Sequence, residues 1–271
     1  MRVRDALAEA ARRFGFSETP RLDAELLMAH TLGCTREAML LGRLDDPTPD
    51  GFAALVERRA AHEPVAYITG KRAFWTIELA VGPGVLVPRA DTETLVEAAV
   101  EHFAGTSGPR RVLDLGTGSG ALLLAALDQW PAANGIGVDR SGEALAVAQE
   151  NARRLGMGPR ARLVEGSWDA VGGAFDLVLC NPPYIADKEE LAREVAGYEP
   201  ASALYAGPDG LHDYRALAPI IARRIAPGGV ACVEIGSSQG EAAAALFRAA
   251  GLTVNLRQDL GGRDRCLVAT P

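Results

Sequence analysis

From about residue 111 onward, short apolar runs alternate with helix-patterned stretches, and this alternation restricts the fold more than any other feature of the chain. The runs read RVLDLG, GIGVD, ARLVEG, FDLVLC, GGVACVEIG, LTVNLRQ and RCLVAT. Strands separated by helices, such as the one from Gly142 to about Leu155, predict a parallel, doubly wound seven-stranded sheet of the α/β class. Open sheets of this kind bind ligands in the crevice outside the carboxyl ends of their strands. The residues that close each run are therefore the first place to look for chemistry.

The period is different up to about residue 70. Val3, Leu7, Ala10, Ala11 and Phe14 recur at helical spacing, with Gly15 as a stop signal. Pro20 suits the first turn of a second helix lined by Leu22, Leu26, Leu27 and His30, and Pro49 opens a third with Phe52, Leu55 and Val56 inward. We expect 1–72 to form a small helical domain that helps bind the substrate and 73–88 to form a β-hairpin linker. In that linker Ile77, Leu79 and Val81 alternate with Thr76, Glu78 and Ala80 ahead of the turn residues Gly82-Pro83-Gly84. The α/β domain then occupies 89–271.

At 271 residues the chain can bury one large core or two smaller ones, so the change of period has to decide. A formal charge of −7 disfavours a broad nonspecific grip on nucleic acid, which rests on neutralising phosphates. No apolar stretch of signal or membrane-spanning length follows the N-terminus, so a cytoplasmic protein with no membrane partner is expected, and we take it to be a monomer. Cys34, Cys180, Cys232 and Cys266 form no C-x-x-C pair and read as reduced core residues. The four histidines share no metal-ligand spacing, and no metal site is expected.

Residues 114–120 read DLGTGSG, between an apolar strand and the helical run ALLLAALDQW. Gly116, Gly118 and Gly120 let the backbone turn sharply and approach a ligand, with Thr117 and Ser119 between them. The next strand ends in Asp139, about 20 residues on, where a carboxylate can accept hydrogen bonds from both hydroxyls of a ribose. The same Asp could instead cap the following helix at Ser141. Together the two features point to an adenosine-containing ligand, and the G-x-G-x-G spacing after D-x resembles the class I, Rossmann-like S-adenosylmethionine-dependent methyltransferases. Trp168, after the third strand, sits where such enzymes cover the adenine, although a tryptophan there can also close the edge of the core.

The fourth run, FDLVLC, stops abruptly in Asn181-Pro182-Pro183-Tyr184. Proline fixes φ and lacks an N–H, so the strand ends in a stiff loop whose carbonyls have set directions. A planar NH2 group is a poor nucleophile because its lone pair is delocalised, and it has to be oriented. The side-chain oxygen of Asn181 and the carbonyl of Pro182 can accept from both of its N–H groups and aim the nitrogen at a sulfonium methyl. Tyr184 can stack on the flat substrate group and narrow the slot. Adenine N6, guanine N2 and a glutamine amide all present such a nitrogen, so the tetrapeptide identifies an amino group and leaves its bearer open.

The segments EPVAYITGKRAF, VLVPRADTETLVE, DLGTGSG, NPPY and EPASALYAGPDGLHDYR, in this order over essentially the whole chain, resemble the release-factor glutamine methyltransferase (HemK/PrmC) family. The resemblance implies N5-methylation of the glutamine in the Gly-Gly-Gln loop of peptide-chain release factors, with S-adenosylmethionine as donor and S-adenosylhomocysteine as product. It implies that the cofactor lies against Gly116–Gly120, Asp139, Trp168 and Asn181, and that Asn181, Pro182, Pro183 and Tyr184 hold the amide. Alternatives are a ribosomal-protein glutamine or an adenine N6 in nucleic acid. In PRADTE, where the family often has proline at the position of Ala90, Asp91 is expected to cap a helix. Arg89 or Thr92 is a candidate for the methionine end of the pocket, and the turn GPDGL at 207–211 is expected to support the active-site loop.

Overall fold

The computed structural model describes residues 1–271. Two compact units divide it: Met1–Lys71 with Leu191–Tyr198, and Arg72–Glu190 with Glu199–Pro271.

The first unit holds α1 (Val3–Arg13), α2 (Pro20–Leu32), α3 (Arg36–Gly42), α4 (Phe52–Ala60) and α5 (Val65–Thr69). Val3, Leu7, Ala10 and Phe14 are buried together with Leu27, Met28 and Met39, as the helical period predicts for α1. The inward face of α2 is not the one expected. Leu22 and Leu26 are exposed at 38% and 36%, and the buried set is Ala24, Leu27, Met28 and Ala29 alongside Asp23 and Glu25. The reason is electrostatic matching that periodicity cannot register. Arg59 lies 2.8 Å from Asp23, and Arg21 and Arg36 lie 2.6 and 2.7 Å from Glu25, so the two carboxylates are buried with partners. Pro49 does not open α4; Gly51 precedes it, at φ 90. The returning segment Leu191–Tyr198 is fastened within this unit by Arg59 to Glu194 at 2.6 Å, and by Tyr198 donating to the Ala61 carbonyl at 3.0 Å.

Strands β1 (Lys71–Phe74) and β2 (Ile77–Ala80) form the predicted hairpin, but it turns at 75–76, where Trp75 has φ 53. Residues 82–84 lead out of the hairpin instead of closing it. There follow α6 (Glu93–His102), β3 (Arg111–Leu115), α7 (Ala121–Gln129), β4 (Asn134–Asp139), α8 (Gly142–Arg154), β5 (Ala161–Glu165) and β6 (Phe175–Cys180). The single-turn α9 (Arg193–Ala196), then α10 (His212–Ala222), β7 (Ile225–Glu234), α11 (Gly240–Ala249), β8 (Thr253–Gln258) and β9 (Asp264–Thr270) complete the chain.

The seven-stranded sheet has the order β5-β4-β3-β6-β7-β9-β8. Its first five members run parallel, and β9 is antiparallel to both β7 and β8. The departure from an all-parallel sheet has a simple cause: 259–263 is too short for a crossover connection, so the last two strands can only reverse. β6 lies in the middle with Leu177, Val178, Leu179 and Cys180 fully buried, which explains why its run is apolar without alternation.

The strand order reverses between β3 and β6, and that is where an open α/β sheet leaves a crevice. Register sharpens this. Leu115 pairs with Val138 and Cys180, and Cys180 pairs with Val233. One residue further on, Asp139, Gly116, Asn181 and Glu234 form a single row across the carboxyl ends of four strands.

Candidate active site

The glycine-rich turn is pinned to its neighbouring strand: the N–H groups of Gly116 and Thr117 both donate to the Val138 carbonyl, at 2.8 and 3.0 Å. Gly116, Gly118 and Gly120 have φ of 74, 54 and 84, the left-handed region. At Gly116 space is tight as well, because a Cβ there would lie 3.2 Å from the Trp168 ring. Beneath the turn, buried Asp114 accepts from the Thr117 hydroxyl at 2.6 Å and the Leu123 N–H at 3.2 Å. Burial pushes its carboxyl up to about 7 against those two bonds, and Oδ1 has no partner.

Asp139 accepts from the Gly118 N–H at 2.8 Å with one oxygen and from the Ser141 N–H at 2.9 Å with the other. Ser141 in turn caps α8 by accepting from the Ala144 N–H at 3.2 Å. The cap of α8 is therefore Ser141, with Asp139 one step behind it. Asp139 organises the turn and the helix start, and it retains acceptor capacity on the cavity it lines. Trp168 is half-buried over Gly116, and its Nε1–H donates to Asp213 at 3.3 Å.

These groups line a cavity of about 450 Å³, whose walls include Gly116, Gly118, Asp139, Trp168, Asn181 and Pro183. Thr117, Ser119 and Thr92 also face it, whereas Gly120, Pro182 and Tyr184 do not. Gly120 precedes α7 as its N-cap residue, and Pro182 is buried behind the wall. Half-buried Asn181 donates from Nδ2 to Thr92 Oγ1 at 3.4 Å.

Tyr184 is tied at both ends. Its hydroxyl donates to Glu234 Oε1 at 3.1 Å, and its carbonyl accepts from Gln239 Nε2 at 2.8 Å. The same Nε2 reaches the Gly210 carbonyl in the GPDGL turn at 3.2 Å, so Gln239 joins that turn to the loop after β6. Burial beside Glu234 pushes the Tyr184 phenol up. Glu234 is 1% exposed, and burial pushes its carboxyl up to about 7, with Thr92, Arg265 and Tyr184 pulling the other way and Asp91 adding to the rise.

The PRADTE segment departs from expectation. Asp91 lies inside a short 3₁₀ turn, Ala90–Thr92, and caps nothing; it pairs with Arg265 at 3.1 Å. Arg89 is turned to Glu199 at 2.5 Å and does not line the cavity, whereas Thr92 does. Glu234 and Gln239 escaped the sequence reading. A signal was available: EIGSSQG places an acid and an amide just past an apolar run, at the end of the sheet where ligands bind.

Residues 5–70 match the family model described as the PrmC N-terminal domain, and residues 108–250 match a methyltransferase domain model. A Rhodospirillum rubrum protein named release factor glutamine methyltransferase is 46% identical, over 93% of this chain and 79% of that protein. One of the same name from Moorella thermoacetica is 43% identical, over 99% and 98%. Among solved structures, a methyltransferase from Pyrococcus furiosus superposes with a TM-score of 0.55 at 18% identity, covering 80% of this chain and 96% of that one. The 16S rRNA N2 G1207 methyltransferase of T. thermophilus, solved with AdoMet and guanosine, gives 0.52 at 21% identity, covering 73% and 49%. These two likenesses show the fold. At 43–46% identity to the first two proteins over most of each chain, this chain belongs to the release factor glutamine methyltransferase family.

Proposed function

We propose that this protein transfers the methyl group of S-adenosylmethionine to the side-chain amide nitrogen of the glutamine in the Gly-Gly-Gln loop of peptide-chain release factors. The observation that carries this reading is Asn181. It ends β6 beside the glycine-rich turn, lines the same cavity, and commits its Nδ2 to Thr92, which leaves Oδ1 free to accept. Family membership directs that acceptor to a glutamine amide.

The cavity suits the donor. The left-handed turn lets the backbone approach a ligand, Asp139 supplies acceptors for ribose hydroxyls, and the Trp168 ring offers a flat wall. S-adenosylmethionine, when bound, supplies an electrophilic methyl on a sulfonium. The residues of the chain have to present the nucleophile. Asn181 Oδ1 and the Pro182 carbonyl accept from the two N–H groups of the substrate amide and turn its nitrogen toward the cofactor pocket. Positive charge that develops on that nitrogen is stabilised by the same two dipoles, and the protonated amide loses its proton without a dedicated base. Tyr184 lies outside that cavity and braces the loop that presents Asn181, its hydroxyl held by Glu234 and its carbonyl by Gln239.

The chain carries a formal charge of −7, which supports a protein substrate over direct nucleic-acid binding. No helix is long and apolar enough to cross a membrane. We place the activity in the cytoplasm, with release factors, and in a monomer whose helical unit helps to engage the substrate. The test is incubation with methyl-labelled donor and either a release factor or a variant of it in which the loop glutamine is replaced. Label should enter the first and not the second; equal incorporation would point to another acceptor.

A further inference from the structure

Gln239 precedes α11 as its N-cap residue and does not line the cavity, yet both ends of its side-chain amide are engaged. Its Nε2 donates to the Tyr184 carbonyl at 2.8 Å and to the Gly210 carbonyl at 3.2 Å. Its Oε1 accepts from the Gly236 N–H at 3.1 Å and lies 3.4 Å from the Tyr214 hydroxyl, which donates to the Glu234 carbonyl at 3.0 Å. The direction of the amide is therefore fixed, since turning it over would set Oε1 against two carbonyls and Nε2 against an N–H. Two glycines leave room for it. A Cβ on Gly210, whose φ is 67, would lie 2.4 Å from the Tyr184 carbonyl oxygen and 2.7 Å from Nε2, and one on Gly236 would lie 2.7 Å from Oε1.

The loop Asn181–Tyr184 is fastened at its front end by β6, where Cys180 pairs with Leu115 and Val233. Gln239 fastens the other end. Between them lie Pro182 and Pro183, whose rings fix φ, so a four-residue loop held at both ends has few torsions left with which to redirect the Pro182 carbonyl or the Asn181 side chain. We propose that Gln239 is a positioning residue for the transfer: it locks the Tyr184 end of the loop to the GPDGL turn, so that the two acceptors offered to the substrate amide keep one direction. Two N–H donors on one uncharged nitrogen are what the two facing carbonyls require. This rests on the transfer reaction proposed above and adds the group that holds its acceptor loop still.

The test uses the full-length protein as wild type, Gln239→Met and Gly210→Ala. Methionine fills the space of glutamine without either donor, and the alanine pushes on the same contact from the other side. Each variant should lower kcat about tenfold, with KM for the release factor and the calorimetric Kd for the cofactor within about twofold of wild type, because orientation is lost and neither binding surface is. Hydrogen exchange supplies a readout that needs no transfer: amides of 184–187 and 207–211 should exchange about tenfold faster in Gln239→Met, with those of 116–120 unchanged. Unchanged kcat in Gln239→Met overturns the inference. So does a kcat loss accompanied by an equal loss of cofactor affinity, or exchange at 184–187 that matches wild type. Absence of transfer by the wild type would instead sink the release-factor reading, while the exchange measurement still decides whether Gln239 holds the loop.

Discussion

The wall we propose for the cofactor takes Asp114, Gly116, Gly118 and Asp139 from one continuous stretch, β3 to the end of β4, with Trp168 added from beyond β5, and backbone conformation shapes its turn. The wall we propose for the acceptor takes Thr92, Asn181, Tyr184, Glu234 and Gln239 from three separate segments, and side-chain hydrogen bonds shape it. One wall is local and rigid through φ; the other is assembled only after the sheet has formed. Each also rests on a buried carboxyl raised to about 7, Asp114 under the first and Glu234 under the second. The difference separates two tasks. Holding a cofactor needs a close backbone approach, whereas orienting an amide needs acceptors whose directions are enforced from behind.

If the walls are separable in this way, substitutions should divide cleanly between binding and chemistry. The largest effect is expected for Asn181→Ala: kcat should fall on the order of a hundredfold or more, as when a preorganised polar group is removed, with cofactor Kd by calorimetry little changed. A comparable loss of cofactor affinity would break the division. Asp139→Ala should do the reverse, weakening cofactor binding about tenfold while sparing kcat at saturating cofactor; two charge-assisted bonds to ribose hydroxyls are at stake, at about 1.5–3 kcal/mol each before compensation by water. A kcat defect at saturation would show that the Gly118 N–H bond of Asp139 also shapes the acceptor side.

A third effect concerns stability and leaves turnover aside. Asp114 has a folded-state carboxyl raised from 3.8 to about 7, so the folded protein holds a proton that the unfolded chain has already released. Below pH 4 the group is neutral in both states and carries no penalty. As pH rises from 4 through 7 its contribution is lost, by at most about 1.4 kcal/mol for each step of one in pH, and above that range the loss is complete. Thermal melts at pH 5 and pH 8 should therefore differ less for Asp114→Asn than for wild type. An unchanged difference would show that Asp114 does not link the fold to pH and would leave that role to Glu234.

Legibility followed the same division. The DLGTGSG turn, Asp139 and the strand ending in NPPY could be read because each is a contiguous run whose residue types have few other uses. Exposed Leu22 and Leu26 show where periodicity failed: α2 buries Asp23 and Glu25, and their arginine partners lie elsewhere in the chain. Asp91 was misplaced for a similar reason, since its partner, Arg265, comes from the far end of the sequence.

The alternation of strand and helix, the sharp glycine turn and the stop at Pro182 and Pro183 are short-range matters of backbone sterics and apolar spacing, and the amino-acid sequence determines them without further help. The row Asp139, Gly116, Asn181 and Glu234 arises from register between strands that are distant in the chain. That Tyr184 donates to Glu234 and that Asn181 turns its Nδ2 to Thr92 follow from that packing. Directional hydrogen bonds act over about 3 Å and have no counterpart in linear spacing, so they are settled only when the sheet is complete.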